Sequence, residues 1–111
     1  MTLDWTQIPE KEMVHFKGGE GSTFARVYAD ETIRLMLGRL PVGSTIGEHI
    51  HETNSETCYI VSGAARFFVD DVPEVVPAGM THHCPQGKRH RCENAGSGDL
   101  VMMCVIPELN R

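Results

Sequence analysis

Short runs of β-branched, aromatic and other apolar residues recur along the chain, separated by clusters of turn-forming residues. The runs cover residues 24–29, 33–40, 45–50, 57–61, 65–69, 72–76, 81–84, 89–93 and 100–106. Between them stand Asp30-Glu31, Pro41-Val42-Gly43, Asn54-Ser55, Asp70-Asp71, Pro77-Ala78-Gly79 and the stretch from Asn94 to Gly98, each suited to a reversal of chain direction. Many short strands with turn chemistry between them predict an all-β sandwich or barrel. Glu10 to Met13 has the character of one short helical turn, and no segment beyond it sustains an apolar helical face. Residues 18–22 read as a glycine-rich loop without the Lys-Ser/Thr ending of a phosphate loop.

A chain of 111 residues is long enough for one modest core and too short for two. Residues 1–30 are read as an N-terminal arm and first strands of the same fold, and 31–111 as the barrel that carries the site. The formal charge of −5 gives no electrostatic reason to expect nucleic acid or an anionic membrane as partner. The basic run from Lys88 to Arg91 is short, lacks interleaved aromatics and reads as a solvated strand end. No apolar run approaches the ~18 residues of a membrane span, and the N-terminal stretch lacks a signal-like apolar core, so the expectation is a cytoplasmic protein. Cys58, Cys84, Cys92 and Cys104 form no C-x-x-C pair and are expected as free core thiols.

Chemistry concentrates in the segment GSTIGEHIHETNSETCYIVSG, residues 43–63. On a strand, positions i and i+2 share a face about 6.6 Å apart, so His49 and His51 project together while Ile50 turns away. Glu56 follows the Asn54-Ser55 turn and can bring a carboxylate back to the same place. Two imidazoles and a carboxylate suit a divalent transition metal with open coordination positions. Alone, the triplet fits equally well a pair of hydrogen-bonded or surface histidines beside a surface glutamate. The second half of the chain changes that balance. Gly79, Pro85, Gly87, His90 and Asn94 stand in the order G-x5-P-x-G-x2-H-x3-N, which offers His90 as a fourth candidate ligand.

At these residues the sequence resembles the cupin superfamily. The first cupin motif is matched by Gly43, His49, His51, Glu56 and Gly63, and the second by Gly79, Pro85, Gly87, His90 and Asn94. The interval between the motifs is short, as in compact single-domain cupins. The resemblance implies a double-stranded β-helix, or jelly-roll, cupin barrel. It implies metal ligands His49, His51, Glu56 and His90 in the barrel mouth, one divalent transition metal (Fe, Mn, Ni or Zn), and commonly a homodimer.

Three imidazoles and one carboxylate on a six-coordinate ion leave two positions for a bidentate oxygen ligand, which suits a small-molecule substrate rich in oxygen. Lewis-acid chemistry of the isomerase, epimerase or lyase type is the leading expectation. An iron(II)-dependent dioxygenase and a non-catalytic metal- or ligand-binding module stand beside it. The candidate catalytic residues are His82, Cys58 and Tyr59. Of the adjacent His82 and His83 one must face inward, as a base or a partner to a ligand. Cys58 shares the face of Glu56, and Cys92 that of His90, so either thiol points into the barrel as a small filler or, near a cation, as a reactive group. Tyr59, Arg66 and Arg91 are candidates for contact with an anionic substrate.

Overall fold

The computed structural model describes residues 1–110. Ten strands follow one another with few intervening residues: β1 (Lys11–Val14), β2 (Ser22–Ala29), β3 (Ile33–Leu40), β4 (Thr45–Ile50), β5 (Glu56–Ser62), β6 (Ala64–Val69), β7 (Val72–Pro77), β8 (Thr81–Cys84), β9 (Arg89–Asn94) and β10 (Leu100–Pro107). Single 3-10 turns occupy Trp5–Gln7 and Phe16–Gly18. All strand pairs are antiparallel and form two sheets. One has the order β1-β2-β3-β10-β5-β8 and the other β4-β9-β6-β7. The chain crosses from one sheet to the other after β3, β4, β5, β7, β8 and β9, which is the winding of a jelly roll.

Alternation explains which side chains enter the space between the sheets. Along β10, Leu100, Met102 and Cys104 are buried while the residues between them are partly open, and along β9 His90 and Cys92 are buried. Leu40, Ile60, Phe67 and Leu100 are among the largest fully buried side chains. Where the chain reverses, Gly43, Gly63, Gly79 and Gly87 all have positive φ. Gly63 is doubly constrained, because a Cβ there would stand 2.6 Å from the carbonyl oxygen of Asp99.

One expected element is of another type. Residues 10–13, read as a helical turn, lie at the start of the edge strand β1, where Lys11 to Val14 pair with Ala25 to Ser22. Pairing to β2 outweighs the weak local preference of this stretch, and Glu10 closes an ion pair with Arg39 at 2.8 Å. The other nine strands fall where the hydrophobic pattern placed them. All four cysteines are free and buried. The basic run is neutralised on the surface: Lys88 meets Asp70 at 3.2 Å, and Arg89 meets Glu48 at 3.0 Å and Asp71 at 2.7 Å. No helix among the described residues is long and apolar enough to cross a membrane.

Candidate metal centre

The four residues singled out by spacing come from both sheets. His49 and His90 are cross-strand partners in the β4–β9 pair. His51 lies just past β4, yet its backbone is pinned on both sides, its N–H donating to Lys88 O at 3.1 Å and its carbonyl accepting from Gly87 N–H at 2.8 Å. Glu56 opens β5 in the opposite sheet. His51, Glu56 and His90 are 6%, 6% and 2% exposed, so the carboxylate is held well away from water. One ligand atom from each of the four lies within 4.8 Å of the others, a group that could hold a metal ion.

The partners of each ring settle its tautomer. His49 Nδ1–H donates to the carbonyl of Gly47 at 2.8 Å, and His51 Nδ1–H to Asn54 Oδ1 at 2.6 Å. His90 is fixed at one remove. Glu74 can only accept from His82 Nδ1–H, at 2.5 Å, so in the neutral ring His82 Nε2 is a bare acceptor, and His90 Nδ1–H donates to it at 3.0 Å. All three Nε2 lone pairs therefore face one another. His90 Nε2 is 3.0 Å from that of His51 and 3.2 Å from that of His49, while Glu56 Oε1 lies 2.9 Å from His90 Nε2 and 3.3 Å from His51 Nε2.

Three imidazole nitrogens and a carboxylate gathered this closely call for positive charge between them. Protons can supply it in part. Hydrogen bonding to Glu56 raises the His51 pKa against the opposing effect of burial, whereas burial lowers that of His49. Burial alone would push the Glu56 carboxyl up, but its hydrogen bonds with His51 and His90 outweigh this and hold it well below the usual range. A divalent ion satisfies the whole set at once. Bonds of about 2.1 Å at right angles separate neighbouring donors by about 3.0 Å, close to the spacings described above.

The donors border a cavity of about 260 Å³. Its wall includes Met36, Ile46, Cys58, Phe67, Cys92 and Met102, and its rim includes Lys17, Arg34 and Glu52. The loop carrying Lys17 is pressed against β4 through two glycines. A Cβ on Gly47 would lie 2.0 Å from Lys17 O, and one on Gly19 would lie 2.0 Å from Thr45 O.

The expected catalytic residues fare differently. His82 faces inward and is 1% exposed, but it stacks on Phe67 at 3.7 Å behind His90 and is not part of the cavity wall. Its access to the site is through His90. His83 points outward, hydrogen-bonded to Thr57 at 2.9 Å. Cys58 does reach the wall, with its thiol held protonated: hydrogen bonding with Cys104 and burial raise its pKa well above normal, and burial does the same for Cys92. Tyr59 is a correction. It is 47% exposed on the outer face of β5, because alternation turns position 59 away from the side that Glu56 and Cys58 occupy. Of two further candidates, Arg66 is engaged elsewhere with Glu93 at 2.8 Å, whereas Arg91 lines the cavity with its guanidinium over the Phe68 ring at 3.7 Å. Sequence reasoning missed Lys17, Arg34, Asn54 and Glu74. Of these, Arg34 and Glu74 share the parity of the inward-facing Met36 and Val76, and that alternation was the available signal.

The chain matches known proteins. The cupin domain family matches residues 36–106. An oxalate-binding protein of Thermotoga maritima is 30% identical over 112 residues, spanning 96% of this chain and 93% of its own. The crystal structure of a predicted oxalate decarboxylase from the same organism superposes with a TM-score of 0.87 at 26% identity, over 98% of this chain and all of that one. A putative sugar phosphate isomerase from Acidithiobacillus ferrooxidans shares the fold, with a TM-score of 0.78 at 18% identity over 94% of this chain and 70% of that one. Two sheets wound as a jelly roll, a His-His-Glu-His group between them, and a family match over most of the barrel lead to one assignment: the chain belongs to the cupin family.

Proposed function

We propose that the protein binds one divalent transition metal through His49, His51, Glu56 and His90 and uses it to hold a small oxygen-rich acid, such as a dicarboxylate or 2-oxo acid. The carrying observation is the convergence of three imidazole Nε2 atoms and the Glu56 carboxylate within 4.8 Å of one another, each imidazole being tied at Nδ1 to a partner behind it. A metal held there supplies Lewis acidity, polarising a carbonyl or carboxylate and stabilising negative charge that develops on it. The likeness to the oxalate-binding protein supports the ligand class.

Among the reactions open to such a site, carbon–carbon cleavage of the lyase type is better supported than isomerisation or epimerisation. The latter need a base beside the reacting carbon. Here Cys58 and Cys92 are kept protonated, and His82 stands behind His90. The same lack of a nearby base favours a second reading, reversible binding without turnover. A dioxygenase role has no specific support in the residues around the cavity.

Elemental analysis of the untagged protein beside His49→Ala, followed by calorimetric titration with oxalate, tests this reading. We expect near one equivalent of iron, manganese, nickel or zinc per chain, lost in the variant, and oxalate binding only to the metal-loaded protein. Carbon dioxide release on incubation with the acid separates turnover from binding. No retained metal after reconstitution overturns the proposal.

A further inference from the structure

Three cations among the described residues line the cavity, Lys17, Arg34 and Arg91; the Arg91 guanidinium lies over the Phe68 ring, and the other two have no such partner on the barrel wall. Among the described residues, ion pairs engage Arg39, Arg66, Lys88 and Arg89, and neither Lys17 nor Arg34 takes part in one. Both are exposed at the rim of the cavity that the imidazoles border. They approach it from different walls.

Arg34 is on β3 and shares the inward parity of Met36. It pairs with Ile106 of β10, and the strand on the other side of β10 is β5, where Thr57 pairs with Val105. Glu56 therefore occupies the same cross-strand row as Arg34, two strands away, about 10 Å between backbones. Lys17 stands across the mouth, on the loop that Gly19 and Gly47 press against β4. Its backbone has φ 55°, a left-handed conformation, and its ammonium lies 5.6 Å from the Phe16 ring centroid.

The acids of the cavity do not neutralise this pair. Glu56 is bound to His51 and His90 inside, and Glu52 is the only other acid of the wall among the described residues. The lining thus carries three positive side chains, Lys17, Arg34 and Arg91, against the two acids Glu52 and Glu56.

We infer that Lys17 and Arg34 form an anion-binding rim for the far end of the ligand, so that the preferred ligand is a small acid with a chelating head and a second anionic group. This rests on the metal-centre reading given above, which supplies the anchor for the head. A cavity of about 260 Å³ limits the ligand to a compact metabolite. The rim is open to water, so its contribution is a preference and not an absolute requirement.

The test compares 2-oxoglutarate with 2-oxopentanoate, which have the same 2-oxo acid head and chain length and differ in the distal carboxylate. Calorimetry is run on manganese-loaded protein, with metal content measured first, for the wild type and for the double variant K17M/R34M. Expected are equal metal content in both proteins and a preference of about tenfold for 2-oxoglutarate in the wild type. In the double variant the preference falls to within about twofold, while 2-oxopentanoate binds unchanged. Equal affinities in the wild type, or a double variant that weakens both ligands alike, overturn the anion-binding rim and leave the metal centre standing. Absence of bound metal in the wild type overturns the metal centre, and the rim falls with it.

Discussion

Among the described residues, two largely buried clusters of side chains could serve as metal ligands, and they have opposite characters. The upper one is His49, His51, Glu56 and His90, and the lower one, sharing Glu56, includes Cys58 and Cys104. They meet on β5, where Glu56 and Cys58 share a face, and Cys104 joins the lower cluster from β10, as the cross-strand partner of Cys58. In the upper cluster every imidazole is tied at Nδ1, to Gly47, Asn54 or His82, and so presents a lone pair at Nε2. In the lower cluster the thiols keep their protons: the neighbouring Cys104 and burial raise the Cys58 pKa, and that of Cys104 is raised as well. Residue type alone does not make a ligand. The state required for ligation must be supported from behind.

The sharpest way to break this contrast is to remove one member of each cluster. His90→Ala should abolish metal binding, whereas Cys104→Ala should leave the metal content near that of the wild type, both measured by elemental analysis after reconstitution. Loss of metal in both would merge the clusters into one site. A smaller effect is expected from the support behind His90. Glu74→Ala should weaken metal binding by about 10- to 100-fold in chelator competition, by freeing the His82 and His90 tautomers. Glu74→Gln should recover most of that loss, because its amide oxygen can still accept from His82 Nδ1–H. The Glu74 side chain is 53% exposed, so neither change should alter the fold. If the two variants behave alike, the chain of hydrogen bonds does not orient His90.

The smallest effect belongs to the thiols. Burial raises the Cys84 pKa from 9.0 to about 11, so the folded chain keeps a proton that the unfolded chain releases. The corresponding stability is complete below pH 9.0 and is lost as the pH rises through about 11. Melting temperature should therefore decline across that window, with a shallower decline in Cys84→Ala. An identical profile in the variant would remove Cys84 from the account.

Much of this arrangement could be read from the sequence, for identifiable reasons. The convergence of His49, His51 and Glu56 follows from alternation along one strand and a short turn, and His90 follows from the second motif. What escaped depends on contacts between distant segments. Residues 11–14 have no clear periodicity and become a strand only because β2 lies beside them. Lys17 reaches the rim through a contact between two glycines far apart in sequence, and Glu74 meets His82 where the edge strands β7 and β8 approach. Tyr59 was a different kind of error, since the alternation that placed Cys58 inward already placed its neighbour outward.

The contact of Gly19 with β4 and of Gly47 with the preceding loop also sets terms for anyone wishing to redesign the pocket. Neither position can accept a side chain without forcing backbone apart, since an added Cβ would meet a carbonyl oxygen at 2.0 Å in either case. Libraries aimed at new ligands should hold these two positions constant and vary the rim residues they present. A single alanine at either one would displace the rim loop and the His49 support together, and no choice of side chain elsewhere at the mouth would restore both.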